Sequence, residues 1–303
     1  MQSRASSDTM RPASPAPAST QTYLFFCFFI RRGPPTMQRR DFLQASLQTS
    51  AAASIAACGV ATTSSLAHAA APATADRELY EWRTYRLKDK ASQPAVHDYL
   101  KTAALPAWKK LGLGPVGVFT EIGPDAGPSI HVLLVYRDAA TFVAAREALD
   151  ADADYAKSAA DYRTAKRESP AYDRIDSSLL LAFSAAPKIT PPAQKPRILE
   201  LRTYKNHNDD RARAKVAMFN DGECNIFPKC GFENVFFGET LIGDNQPNLT
   251  YMLASPDMAA NEKGWKTFID SPDFLQMRDD PKYADTMPTI TKLFLEPTDY
   301  SQV

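Results

Sequence analysis

Cysteine and histidine are scarce in this 303-residue chain, with four of each. The cysteines are Cys27, Cys58, Cys224 and Cys230, and the histidines are His68, His97, His131 and His207. No CxxC, HxH or HExxH spacing joins them, so no metal site is expected. Net charge is also missing: 35 basic side chains balance 35 acidic ones. That excludes the basic excess of a nucleic-acid binder. The apolar run Tyr23-Leu24-Phe25-Phe26-Cys27-Phe28-Phe29-Ile30 stops at eight residues, far short of the roughly 20 that cross a bilayer. No nucleophile triad and no phosphate loop stands out.

What is present begins with an address. Arg39-Arg40, one spacer, then Phe42-Leu43 resemble a twin-arginine export signal. An alanine-rich, uncharged stretch follows, ending in Ala67-His68-Ala69, the small-x-small pattern that a signal peptidase pocket admits. Residues 37–69 therefore read as a signal peptide, with a periplasmic mature chain after a short linker, 70–77. Two alternatives stay open. Ile55-Ala56-Ala57-Cys58 resembles a lipobox, and lipidation at Cys58 would anchor the protein to a membrane. Met37 also offers a start that leaves Met-Gln-Arg-Arg as the signal head and makes residues 1–36 a non-native extension.

The mature chain repeats itself. Tyr80-Glu81-Trp82-Arg83-Thr84-Tyr85 answers to Leu199-Glu200-Leu201-Arg202-Thr203-Tyr204, and the downstream Gly-rich and apolar segments follow at nearly the same offset. Residues 185–197, with four of the chain's 23 prolines, read as a linker between units 78–184 and 198–303. Period-two alternation predicts strands at 79–87, 115–122, 129–136 and 175–183, with helices at 92–109 and 139–168. The second copy predicts strands at 198–205, 234–242, 248–254 and 290–296. The order β-α-β-β-α-β is the ferredoxin-like arrangement, an α+β fold whose sheet has helices on one face only. Two copies cover each other's bare face as an intrachain α+β barrel.

The recurring Glu-x-Arg-Thr-Tyr strand followed by a helix resembles the NIPSNAP family across most of residues 78–297. The resemblance implies a dimeric α+β barrel and a biochemical activity that is poorly defined, with no agreed catalytic residues to carry over. Some animal members act as mitochondrial interaction proteins; the export signal sets this chain apart from that role. The wider barrel class includes haem-binding proteins and cofactor-free oxygenases, by fold analogy alone. No cofactor is named by the sequence.

Alternate strand residues share a face. Glu81, Arg83 and Tyr85, and likewise Glu200, Arg202 and Tyr204, are expected to point into the barrel or the contact between copies. Tyr80, Trp82, Leu199 and Leu201 are expected to pack on the helices. The inward set is either a ligand pocket, with arginines for an anionic or carbonyl group, tyrosines as donors and Glu81 or Glu200 as base, or a structural network. His131 falls on a strand where the second copy has Thr250, His97 is expected to face solvent, and His207 lies in a polar turn. Trp108 and Trp265 read as packing residues. Cys224 and Cys230 form either a disulfide in an oxidising compartment or two free thiols. Two functions compete. One is a periplasmic protein binding a small molecule, a protein partner or its own copy. The other is an oxygenase or isomerase acting on a small metabolite.

Overall fold

In the computed structural model, residues 76–303 apart from Gln194 and Pro196 are described. The export signal at Arg39, Arg40, Phe42 and Leu43, the alternative anchor Cys58 and the start at Met37 lie outside the described residues. Strand β1 (Leu79–Arg86) leads into helix α1, which runs through Gln93–Tyr99, Leu100–Ala104 and Leu105–Lys110, the middle piece being a π turn. Pro94 sits in its first turn, where a missing N–H breaks no helical bond. Beyond its end, Gly112 takes φ 72°, a left-handed conformation suited to glycine. Strands β2 (Gly117–Glu121) and β3 (Ile130–Tyr136) follow. The helical stretch expected as one piece is three: α2 (Ala139–Asp150), α3 (Ala153–Ser158) and α4 (Ala160–Arg163). Asp138 and Asp152 start the first two by capping backbone N–H groups. Strand β4 (Arg174–Ala182) closes the first half.

The second half repeats this plan. Strand β5 (Ile198–Lys205) precedes helix α5, made of Asp209–Met218, a π turn Phe219–Glu223, and Cys224–Lys229. Next come β6 (Glu233–Ile242), β7 (Asn248–Ser255), α6 (Met258–Ile269) and α7 (Pro272–Arg278). A short 3-10 turn (Pro281–Tyr283) and β8 (Thr289–Pro297) complete it. Both halves thus carry a π turn at the same place in their first helix.

The eight strands form one closed antiparallel barrel in the order β1-β3-β2-β8-β5-β7-β6-β4. Taken by halves, β4-β1-β3-β2 and β8-β5-β7-β6 have the same internal order. They join at two seams, where Phe119 faces Pro297 and Ala182 faces Gly238. Gly238 is needed at its seam, because a Cβ there would lie 2.8 Å from the Leu180 Cβ. Strands β3 and β7 are buried at every residue. One side of each meets the lumen and the other meets the helices, which accounts for their continuous apolar character. The proline-rich linker is held down: Ile189 packs on the lumen cluster and its N–H donates to Glu78 Oε2 at 2.8 Å.

The faces of β1 and β5 are the reverse of the expectation. Tyr80, Trp82, Leu199 and Leu201 point into the lumen, where they pack with Phe119, Leu133 and Phe236. Glu81, Arg83 and Tyr85, and Glu200, Arg202 and Tyr204, point outward under the helices. The reason is solvation. An eight-stranded barrel is just wide enough to be filled by side chains, so its axis offers a carboxylate few partners and favours apolar rings. The layer between sheet and helices offers indole, amide and hydroxyl donors, so the carboxylates of Glu81 and Glu200 find partners there.

Candidate functional site

On β5 the outward residues Glu200, Arg202 and Tyr204 build one connected group. The Glu200 carboxylate accepts from Arg202 Nη1 at 3.1 Å, from Asn261 Nδ2 at 2.9 Å and from Trp265 Nε1 at 2.5 Å. Helix α6 supplies both of the last two donors one helical turn apart. The Arg202 guanidinium lies 3.8 Å from the Trp265 ring centre, a cation–π stack. Tyr204 accepts a hydrogen bond from the Tyr251 hydroxyl at 2.8 Å, which leaves its own proton free to donate. Burial pushes the Tyr204 hydroxyl up to about 12, against the pull of Arg202, so it is a neutral donor at physiological pH.

Helix α5 adds a second ion pair. Lys215 Nζ lies 2.9 Å from Glu223 Oε2, and both side chains are buried. Glu223 lies in the π turn, which widens the helix by one residue and changes which side chains face inward. Burial pushes the Glu223 carboxyl above its ordinary value, with Lys215 and then Arg202 pulling the other way. Above this floor opens a cavity of about 480 Å³. Arg202, Tyr204, Lys215 and Glu223 form its polar end, and Met218, Phe268 and Phe274 its apolar walls. Ile269, Ile290 and Met287 also line it, and they are 53%, 40% and 79% exposed, so the mouth presents apolar side chains to water. Each arginine or lysine of the polar end has a carboxylate partner, so the cavity suits a neutral or singly charged polar head on an apolar body.

The first half has the same strand triad without the opening. Arg83 binds Glu81 through two bonds, Nε at 2.6 Å and Nη2 at 2.9 Å, and Glu81 also accepts from Ser177 at 2.6 Å and Tyr136 at 2.8 Å. Burial works to raise the Glu81 carboxyl, yet Arg83, Ser177 and Tyr136 together hold it below the usual range. At the places of Lys215 and Glu223 stand Val96 and Ala104. The space above is occupied by the chain's own rings: Tyr162 stacks on Tyr99 at 3.5 Å, and Tyr172 stacks on Tyr162 at 5.5 Å. The two triads are therefore not brought together in one interior pocket. They sit on the outside of opposite halves; the second lines the cavity of about 480 Å³, whereas the opening of about 390 Å³ in the first half lies over Tyr99 and Tyr162 and is not lined by the first triad.

The remaining residues singled out in the sequence fall elsewhere. His131 points into the barrel beneath Trp82, with its Nε2 2.9 Å from Glu121 and its Nδ1 3.1 Å from the Thr84 hydroxyl. His97 is half-buried rather than solvent-facing, and its Nδ1 meets the Tyr300 hydroxyl at 2.5 Å. Burial lowers its pKa. His207 is exposed, 3.4 Å from Asp285. Trp108 packs in the first-half core with Arg83 above it, whereas Trp265 belongs to the cavity. Cys224 and Cys230 are free thiols at opposite ends of a helical segment. Six residues of helix separate them by about 9 Å, beyond disulfide reach. Burial pushes the Cys224 thiol up to about 12, with Glu223 adding to it, so it is a poor nucleophile. Among the described residues no group of three or more His, Cys, Asp or Glu could hold a metal, and no helix is long and apolar enough to cross a membrane.

Lys215 and Glu223 escape a residue-by-residue reading of the sequence. Their signal lies in comparing the copies, since a lysine and a glutamate replace a valine and an alanine at matching helix positions.

Solved structures with a similar chain path include a candidate monooxygenase from Fusobacterium nucleatum, 12% identical, covering 73% of this chain and 93% of its own, with a TM-score of 0.49. A heme-binding protein from Thermus thermophilus is also 12% identical, covering 73% and 91%, with a TM-score of 0.40. An uncharacterized NIPSNAP-like domain protein from Burkholderia xenovorans is 15% identical and covers 36% of this chain and 92% of its own, with a TM-score of 0.32. No curated protein matches the sequence. The NIPSNAP family model, by contrast, matches twice, over residues 80–187 and 199–302, each segment holding one strand triad and its covering helices. On those two matches the chain belongs to the NIPSNAP family.

Proposed function

We propose that this chain is an exported binding protein, built from two ferredoxin-like βαββαβ units in tandem, that holds one small amphipathic molecule outside β5. The duplication is supported by the shared strand order, the paired triads and the matching π turns. The observation that carries the binding reading is the cavity of about 480 Å³ with four polar groups on its floor and apolar walls, and with Ile269, Ile290 and Met287 beside the charged Arg278 and Asp285 in its exposed lining. A molecule with an apolar body and a hydroxyl, carbonyl or carboxylate head satisfies both ends. Met287 tests this without touching the polar floor, because it is 79% exposed at the mouth. Native mass spectrometry of the full chain should find a copurifying small molecule, and Met287→Glu should release it. The same substitution should leave the ligand-free melting temperature nearly unchanged, since exposed substitutions typically stay within about 0.5 kcal/mol. Retention of the molecule by Met287→Glu, or a wild-type chain that carries none, counts against the reading.

Export rests on Arg39-Arg40 and the uncharged stretch behind Phe42-Leu43. Changing both arginines to lysine should leave uncleaved precursor in the cytoplasm, as seen by immunoblot of cell fractions; normal export of that variant rejects the twin-arginine route. N-terminal sequencing of the mature chain then separates cleavage after Ala69 from lipidation at Cys58. A second reading, an isomerase or oxygenase of the barrel class, is favoured by one feature: the Glu223 carboxyl, raised by burial, stands on the cavity floor where it could move a proton.

A further inference from the structure

The two halves superpose a filled site on an open one, and the filling is informative. In the first half Tyr85 stands at the place of Tyr204, Arg83 at that of Arg202, and Tyr155 at that of Phe274. Over this floor the chain lays the ring of Tyr162, which stacks on Tyr99 at 3.5 Å with an interplanar angle of 4°. Tyr85, buried beside it, feels burial first, then Arg83, then the neighbouring Tyr162 hydroxyl. The phenol of Tyr162 thus sits with its ring stacked between Tyr99 and Tyr172 and its hydroxyl in the neighbourhood of both the strand tyrosine Tyr85 and Tyr172.

In the second half the corresponding segment withdraws. Helix α4, which carries Tyr162, gives way to the turn Pro281–Tyr283. Its tyrosine, Tyr283, is turned aside by a hydrogen bond to Asp221 at 2.5 Å, which also binds Lys282. Tyr99 is replaced by Met218, whose sulfur is a good neighbour for a ring. Tyr204 keeps a free hydroxyl proton, and Phe274 and Phe268 line the walls. What the first half supplies from its own chain, the second leaves to be supplied from outside.

We propose that the cavity of the second half takes a hydroxylated aromatic ring, seated as Tyr162 is seated in the first half, with its oxygen at Tyr204 and its ring against Met218 and Phe274. This rests on the binding function proposed above and names its ligand class. Two-ring compounds separate aromaticity from shape. Calorimetric titration of the full chain should show 2-naphthol binding at one site, roughly tenfold tighter than its saturated analogue decahydro-2-naphthol, the size expected of ring stacking and sulfur–ring contact. Tyr162→Ala should open the first half and raise the 2-naphthol stoichiometry from one to two. Equal binding of the saturated analogue overturns the aromatic assignment, as does a folded Tyr162→Ala chain that takes no second equivalent. Should that variant fail to fold, the wild-type comparison decides alone. Octanoate separates the two levels of the argument. If octanoate binds and 2-naphthol does not, the ligand class is wrong and the cavity stands as a binding site. If neither binds, both fall.

Discussion

Glu200→Leu should lower the stability of the fold by about 3–5 kcal/mol, the usual consequence of removing one partner from a buried ion pair. For a domain of this size that is a fall of roughly 6–20 °C in melting temperature. The carboxylate is 1% exposed and holds three donors at once. Its loss strands the Arg202 guanidinium at 13% exposure, where Nε is already without a hydrogen-bond acceptor. It also orphans the Asn261 amide and the Trp265 indole N–H, and each buried unsatisfied donor adds its own desolvation cost. Arg202→Met should cost less, because the carboxylate it leaves behind still accepts from Asn261 and Trp265. Glu81→Leu should behave like Glu200→Leu, since Arg83, Tyr136 and Ser177 all lose their acceptor. Thermal melts rank the three. A loss of only a degree or two in Glu200→Leu would show that the group is held by something other than this carboxylate.

That ranking also revises the choice offered by the sequence, pocket or structural network. Arg202 belongs to both: it is bonded within the sheet layer and forms part of the cavity floor. Arg83 belongs to the network in a half whose cavity space is filled by tyrosine rings. The sequence could not separate these two roles, because the triads are spelled alike and the difference lies in what the later segments do.

Much of the architecture was legible for a physical reason. Period-two alternation marks strands, and its recurrence fixes two equivalent sheets, so β5 was placed at its observed bounds and the other strands within two residues at either end. Which face meets the lumen was not legible. Alternation says that a strand has two faces, and in a barrel wrapped by helices both are covered. Polarity then misleads: Glu81 and Glu200 look like groups that line a pocket axis, yet they are buried on the outer face, where neighbouring strands bring donors to Glu81 and helix α6 brings them to Glu200. The cavity itself was hidden for another reason. In Asp-Asp-Arg-Ala-Arg-Ala-Lys a lysine reads as one more solvated charge. Only the packing of α5 against the sheet reveals Lys215 as buried, 2.9 Å from Glu223.

The buried Lys215–Glu223 pair yields the second large effect, and it depends on pH. A carboxyl whose pKa is raised on folding binds its proton more readily in the folded than in the unfolded chain. Its stabilising contribution is therefore complete below the ordinary value, 4.5, and is lost as pH rises through the folded value. In the wild type the Lys215 ammonium limits that loss by favouring the charged form. Lys215→Met removes most of that limit and leaves only the smaller pull of Arg202 to set against the burial of Glu223. The variant should match the wild type at about pH 4 and fall behind progressively toward about pH 8, by up to roughly 3–5 kcal/mol. Adding Glu223→Gln should flatten the difference, since no carboxyl is left to ionise. Melting temperatures of the three proteins across this range provide the measurement. A Lys215→Met deficit of constant size at every pH would mean that packing of the lysine stem, and not the charge of Glu223, is what the cavity floor depends on.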